Sequence, residues 1–197
     1  MKKQSATAMI LLMTIGILLS AAFAGCSSQG PPASPAPAKN QATVELSRMA
    51  LQPSEVPAGF ALVEKSDRNA SDMRDWSMNL GWKRGYDAIY LKNGSEPRFL
   101  EQHISVYTPA NISLIMPDTV RLVKNWTDAN VSVEEVPVRA IGDASRSLKV
   151  SDKSDNTSAY LITFVKYDVY EELWTNMTAA DYDNFVQLAG TAAAKIQ

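Results

Sequence analysis

The stretch AYLITFVKYDVYEELWTNM, residues Ala159 to Met177, is the one from which the architecture is read. Its first half, AYLITFV, is apolar at nearly every position, and successive side chains of a strand point to opposite faces. A strand of that kind needs a sheet covered on both sides. Lys166-Tyr167-Asp168 predicts a turn, and the residues beyond it predict a second strand running back.

The same alternation continues outward from this pair. Upstream, Pro57-Ala58-Gly59 predicts a turn before the strand FALVE, Phe60 to Glu64. YDAIYLK and FLEQHISVYT predict two strands separated by Asn93-Gly94-Ser95-Glu96-Pro97, a hairpin signal in a loop longer than two residues. VSVEEVPV and SRSLKV predict two more. Three helices are expected. The first starts from an N-cap at Ser71, carries Met73, Trp76 and Leu80, and ends between Gly81 and Gly85. The second is PDTVRLVKNWTDA with Pro117 in its first turn, where the missing N–H has no helical partner to lose. The third follows Thr178, with Asp181 in the place that Glu or Gln takes in a capping box, and aligns Phe185, Leu188, Ala192 and Ile196 on one face. The fold class expected is α+β: a mostly antiparallel central sheet with helices packed on its faces, an α/β/α sandwich.

Several short segments carry a family resemblance: Pro57-Ala58-Gly59-Phe60, Ile141-Gly142-Asp143-Ala144-Ser145, Ile162-Thr163-Phe164-Val165-Lys166, Leu188-Ala189 and Ala194-Lys195-Ile196. Together with the element order, they resemble the PsbP-like sandwich and the extracytoplasmic domains of uncharacterised prokaryotic lipoproteins. The resemblance implies a fold and no activity.

The N-terminus reads as an address. Met1-Lys2-Lys3-Gln4 is basic, Ala6 to Ala24 is apolar, and small residues close the run, the order of a secretory signal. Phe23-Ala24-Gly25-Cys26, followed by Ser27-Ser28, resembles the lipobox of prokaryotic lipoproteins, with Phe23 standing where Leu is usual. That resemblance implies cleavage before Cys26 and a diacyl- or dialkylglycerol on its sulfur. An uncleaved anchor and plain secretion are the alternatives, since the apolar run approaches the roughly 20 residues that span a bilayer. The expected organisation is a signal peptide at 1–25, a lipidated cysteine and proline-rich stalk at 26–42, and one globular extracytoplasmic domain at 43–197. The stalk, with four prolines and no large apolar residue, suits a semi-rigid spacer. Each alternative puts the domain outside the cytoplasm, and the expected location is the outer face of the cytoplasmic membrane.

Cys26 is the only cysteine in the chain, so the mature domain has no intramolecular disulfide. Beyond Lys2 and Lys3, 17 basic residues face 21 acidic ones, a net charge of −4 without a basic cluster. That balance argues against nucleic acid and anionic lipid as partners.

Seven of the ten asparagines begin an Asn-X-Ser/Thr sequon: Asn69, Asn93, Asn111, Asn125, Asn130, Asn156 and Asn176. These are N-glycosylation candidates, and acceptors of that kind must be exposed. Asn125 lies on the second helix and is expected on its wet side. A lipobox together with dense sequons points to an archaeal cell surface.

Reactive groups are sparse. His103, the single histidine, shares a strand face with Glu101, Ser105 and Tyr107, and reads as a half-exposed strand residue rather than a general base. Ser145 lacks the Gly-X-Ser-X-Gly elbow. Asp152, Asp155 and Asn156 do not match a calcium loop. Glu171 and Glu172 point to opposite faces, and Asp181 and Asp183 suit a helix start. Trp76, Trp82, Trp126 and Trp174 are expected mainly in the core. No catalytic residue, metal site or cofactor is predicted. The expectation is a tethered binding or structural module of the envelope with a protein or glycan partner. The alternative is an extracytoplasmic hydrolase or glycan-processing enzyme using carboxylates assembled by the fold.

Overall fold

The computed structural model describes residues 45–125, 130–154 and 156–197. Cys26 and the segments expected as signal peptide and stalk lie outside the described residues, as do Trp126 and Asp155.

In chain order the described elements are β1 (Ala61–Arg68), α1 (Asp75–Asn79), β2 (Trp82–Lys92), β3 (Arg98–Tyr107), α2 (Ile112–Asn125), β4 (Val131–Glu135), β5 (Ala144–Asp152), β6 (Thr157–Lys166), β7 (Val169–Thr175) and α3 (Tyr182–Ala194), with three short 3₁₀ turns at Leu46–Arg48, Ala70–Asp72 and Ala179–Asp181. The strands form a seven-stranded sheet in the order β1-β2-β3-β7-β6-β5-β4, antiparallel at every pairing. The class is α+β, as the alternation predicts. Two meanders build it. β1 to β3 form one, α2 carries the chain to the far edge, and β4 to β7 return so that β7 pairs with β3.

The apolar run in β6 explains the layering. Tyr160, Ile162 and Phe164 face one side and pack with Phe185, Leu188, Ala189 and Ala192 of α3. Leu161 and Val165 face the other side, against Val120 and Val123 or Ile115 and Met116 of α2. The α3 side also takes Met49, Ala50, Leu51 and Val56 from the segment ahead of β1, which lies over Tyr86, Ala88 and Tyr90 of β2. Phe185, Leu188, Ala192 and Ile196 are all buried. Thr178 Oγ1 donates to Asp181 Oδ2 at 2.6 Å, a bond between two side chains in place of the side-chain-to-backbone bonds of the expected capping box; the pair closes a 3₁₀ turn and α3 starts one residue later.

Two helix starts differ from expectation. α2 begins at Ile112, so Pro117 sits in its interior. Ile115 and Met116 bury against Trp82, Tyr107 and Tyr170, with Ile112 packed beside them, and that apolar burial outweighs the one hydrogen bond lost at an exposed proline. The first helix is split: Asp72 accepts from the Asn69 N–H at 3.2 Å across a 3₁₀ turn, and α1 follows after Arg74. It ends at Asn79 with Leu80 as its C-cap, and β2 starts at Trp82. Gly81, at φ +82°, makes this abrupt reversal, and a Cβ there would lie 2.4 Å from Thr108 Oγ1.

Candidate functional site

The segment before β1 and the strands beneath it enclose an open groove of about 470 Å³. Tyr86, Ala88 and Tyr90 form its floor, and Arg48, Lys65 and Lys195 stand around it. Tyr86 and Tyr90 are on alternate β2 positions, so both point to the α3 side. Burial, helped by the nearby carboxylates of Asp67 and Glu45, pushes the Tyr86 hydroxyl pKa up. Burial also lifts Tyr90 to about 12, and its hydroxyl donates to the Leu51 carbonyl. Two of the cations are paired, Lys195 to Glu55 at 2.6 Å and Arg48 to Glu45 at 3.2 Å. Lys65 has no acidic partner among the described residues.

One wall of this groove is tied to a buried acid. The Leu51 N–H donates to Gln102 Oε1 at 2.7 Å, and Gln102 Nε2 donates to Glu171 Oε2 at 2.8 Å. Gln102 and Glu171 have no exposed surface, and Oε1 of Glu171 has no partner. Burial raises the Glu171 pKa to about 8, against the opposing hydrogen bond from Gln102 and the charge of Lys195. At neutral pH the group is mostly a neutral acid.

The opposite face carries a different polar set. His103 pairs across strands with Asp87 on one side and Glu172 on the other. Its Nδ1 is 2.9 Å from Asp87 Oδ1 and its Nε2 is 3.4 Å from Glu101 Oε2. Arg68 approaches the same Asp87 oxygen at 3.0 Å and donates to Ser105 Oγ and the Ile104 carbonyl. Tyr170 donates to Glu172 at 2.7 Å. Burial pulls the His103 pKa down, but the hydrogen bonds to Asp87 and Glu101 and the charge of Glu172 outweigh it, and the imidazole reaches about 9. A group that holds its proton at neutral pH is no general base. His103 is the cation of a carboxylate cluster.

Sequence reading placed Glu101 and Ser105 beside His103 but missed Arg68, Asp87 and Glu172, because strand pairing alone brings them there. Glu171 had a visible signal: it lies two residues from Val169 and two from Leu173, both on the core-facing side.

The remaining candidates resolve into local structure. Ser145 Oγ accepts from the Ile141 N–H at 3.2 Å and donates to the Arg139 carbonyl at 3.4 Å. In the same turn Asp143 accepts from the Tyr167 N–H at 2.7 Å, holding the β6–β7 hairpin where Tyr167 adopts φ 59°. Asp152 accepts from the Ser154 N–H and Oγ at 2.8 and 2.6 Å, which makes it a turn residue. Among the described residues no group of three or more His, Asp or Glu side chains is placed to hold a metal ion. Trp82 is buried, and Trp76 and Trp174 are half-buried. Asn69, Asn93, Asn125, Asn130 and Asn156 are exposed, while Asn111 and Asn176 are half-buried. Asn125 lies on the exposed side of α2 as expected, with Val123 buried beneath.

No protein-family model matches the chain, and no curated protein matches it in sequence. Among solved structures, it is similar to the extracellular domain of PknH from Mycobacterium tuberculosis, with a TM-score of 0.55 at 9% identity, over 76% of this chain and 94% of that one. At that identity the likeness is one of fold. Among the described residues no helix is long and apolar enough to cross a membrane.

Proposed function

We propose that this chain is an extracytoplasmic binding module, tethered to the cell surface through a lipid on Cys26 and presenting the β1–β2 groove to a component of the envelope. The groove carries the reading. It is open, its floor is aromatic, and Lys65 stands on it without an acidic partner among the described residues. Acid–base chemistry is disfavoured by placement: Glu171 and His103, the two acid–base groups whose pKa values move into the neutral or mildly alkaline range, lie on opposite faces of the sheet. No one substrate reaches both. The similarity in fold to an extracellular domain supports the location, and the dense sequons support a glycosylated, archaeal surface lipoprotein.

A photoreactive benzophenone amino acid at Arg48, on the groove, tests this in the full chain on its own membranes. The control position is Arg121, exposed on α2. A discrete crosslinked product should form from position 48 and not from 121, and Lys65→Glu should reduce it severalfold. Equal products from both positions, or none from either, would sink the proposal.

A further inference from the structure

We infer that N-linked glycans form a crown on one end of the sheet, built on Asn93, Asn125, Asn130, Asn156 and Asn176, and are fewer on the end where the described chain enters. The inference rests on the glycoprotein reading and adds a geometry that sequon counting does not contain.

The strand register supplies that geometry. Asn93 follows the last residue of β2, and Asn176 follows the last residue of β7. Asn156 lies in the turn between β5 and β6, and Asn130 immediately precedes β4, its carbonyl accepting from the Lys153 N–H at 3.0 Å. The pairings Lys92↔Arg98, Leu100↔Thr175, Tyr160↔Thr175, Asp152↔Thr157 and Val131↔Asp152 set these four strand ends along one edge. α2 leaves the other edge after β3, and Asn125 is its last residue, a few residues ahead of Asn130. Asn69 and Asn111 belong to that other edge, after β1 and after β3.

Loop supply does not explain the bias. The sparse edge carries the long connections 69–81 and 136–143, yet it holds two sequons against five.

Exposure favours the same edge. Asn93, Asn125, Asn130 and Asn156 present their side chains to solvent. Asn176 is half-buried, its Nδ2 donating to the Pro97 carbonyl at 3.0 Å. An amide has two N–H bonds, so one remains for Pro97 after the other is replaced. On the sparse edge Asn69 is exposed, and Asn111 is half-buried with its Nδ2 directed at the Leu80 carbonyl at 3.2 Å, the same arrangement as Asn176.

The described chain enters near the sparse end. Ser47 and Arg48 line the groove together with Tyr86, whose strand partner is Asp67, one position from the end of β1. From there the segment runs along β2 to Leu51, and Gly59 comes against Lys92 at the crowned end. Bulky hydrated chains on the crown therefore project away from the entry point, and no sequon contributes to the groove.

The modification is a group transfer. Asn Nδ2 bonds to the anomeric carbon of the sugar and loses one proton, and the phosphate of a polyprenyl-phosphate-linked oligosaccharide donor departs with the electrons of the broken C–O bond. The donor and its transferase are supplied by the cell.

Site occupancy by glycopeptide mass spectrometry, on the full chain recovered from its own membranes, tests the inference. Glycans carried by the five crown sites should outnumber those on Asn69 and Asn111 at least twofold. Asn→Gln at Asn93, Asn125, Asn130 and Asn156 together, all exposed, should remove most of the glycan mass and leave a folded protein. Glycans spread equally over both ends would overturn the crown and leave the glycoprotein reading standing. Bare peptides at all seven positions would overturn both.

Discussion

Gln102 and His103 are neighbours in β3, and Glu171 and Glu172 are neighbours in β7, yet the pleat sends one of each pair to either side of the sheet. On the α3 side, Gln102 and Glu171 are sealed among apolar side chains, and Glu171 responds to desolvation by keeping its proton. On the other side, His103 and Glu172 join Asp87, Glu101 and Arg68, and His103 keeps its proton because carboxylates surround it. Both pKa values rise, one through the loss of water and the other through opposite charge. Covering explains the difference. α3 and the segment ahead of β1 close the first side over β2 and β3, whereas α2 covers β4 to β7 on the second.

The largest effect that tests this contrast comes from the sealed side. Phe185 is 1% exposed in the cluster that contains Phe164 and Leu173. Phe185→Ala should therefore destabilise the protein by about 3–5 kcal/mol, read as a shift in denaturant midpoint. A loss below about 1 kcal/mol would mean that α3 does not seal this side.

Glu171→Gln gives the next effect, and it depends on pH. The folded pKa, about 8, lies above the unfolded value of 4.5, so the linked stability is complete below 4.5 and is lost as pH rises through 8. Glutamine does not ionise. The variant should match the wild type near pH 4.5 and exceed it increasingly up to pH 8–9, by a few kcal/mol at about 1.4 kcal/mol per unit of pKa shift. Thermal midpoints across that range measure the gap, and a constant gap would mean that desolvation is not the cause.

His103→Gln should give a smaller effect of opposite sense. The folded pKa of about 9 exceeds the reference 6.5, so the histidine's contribution is complete below 6.5 and is lost through 9. Its partners are one-fifth exposed, which weakens each pairing by solvent screening. The variant should lose about 1–2 kcal/mol at pH 6 and close to nothing at pH 10. Equal losses at both pH values would make His103 a packing residue and not a cation.

The sequence by itself determined the strands, because a period of two and the turn residues between runs are local signals. Both faces of AYLITFV being apolar required helices on both sides, and α2 and α3 lie there. The exposed side of α2 at Asn125 and the buried stripe of α3 were legible for the same reason: a helix displays its burial in its period. The start of α2 was not legible, since Pro117 is a strong local mark and only packing of Ile115 and Met116 against Trp82 and Tyr107 overrides it. The groove, the buried Gln102–Glu171 pair and the Arg68–Asp87–His103–Glu172 row were decided by tertiary structure alone. Arg68, Asp87 and His103 meet through the register of the β1–β2–β3 meander, whereas Glu171 and Glu172 reach Gln102 and His103, 69 positions away in each case, only because β7 returns to pair with β3.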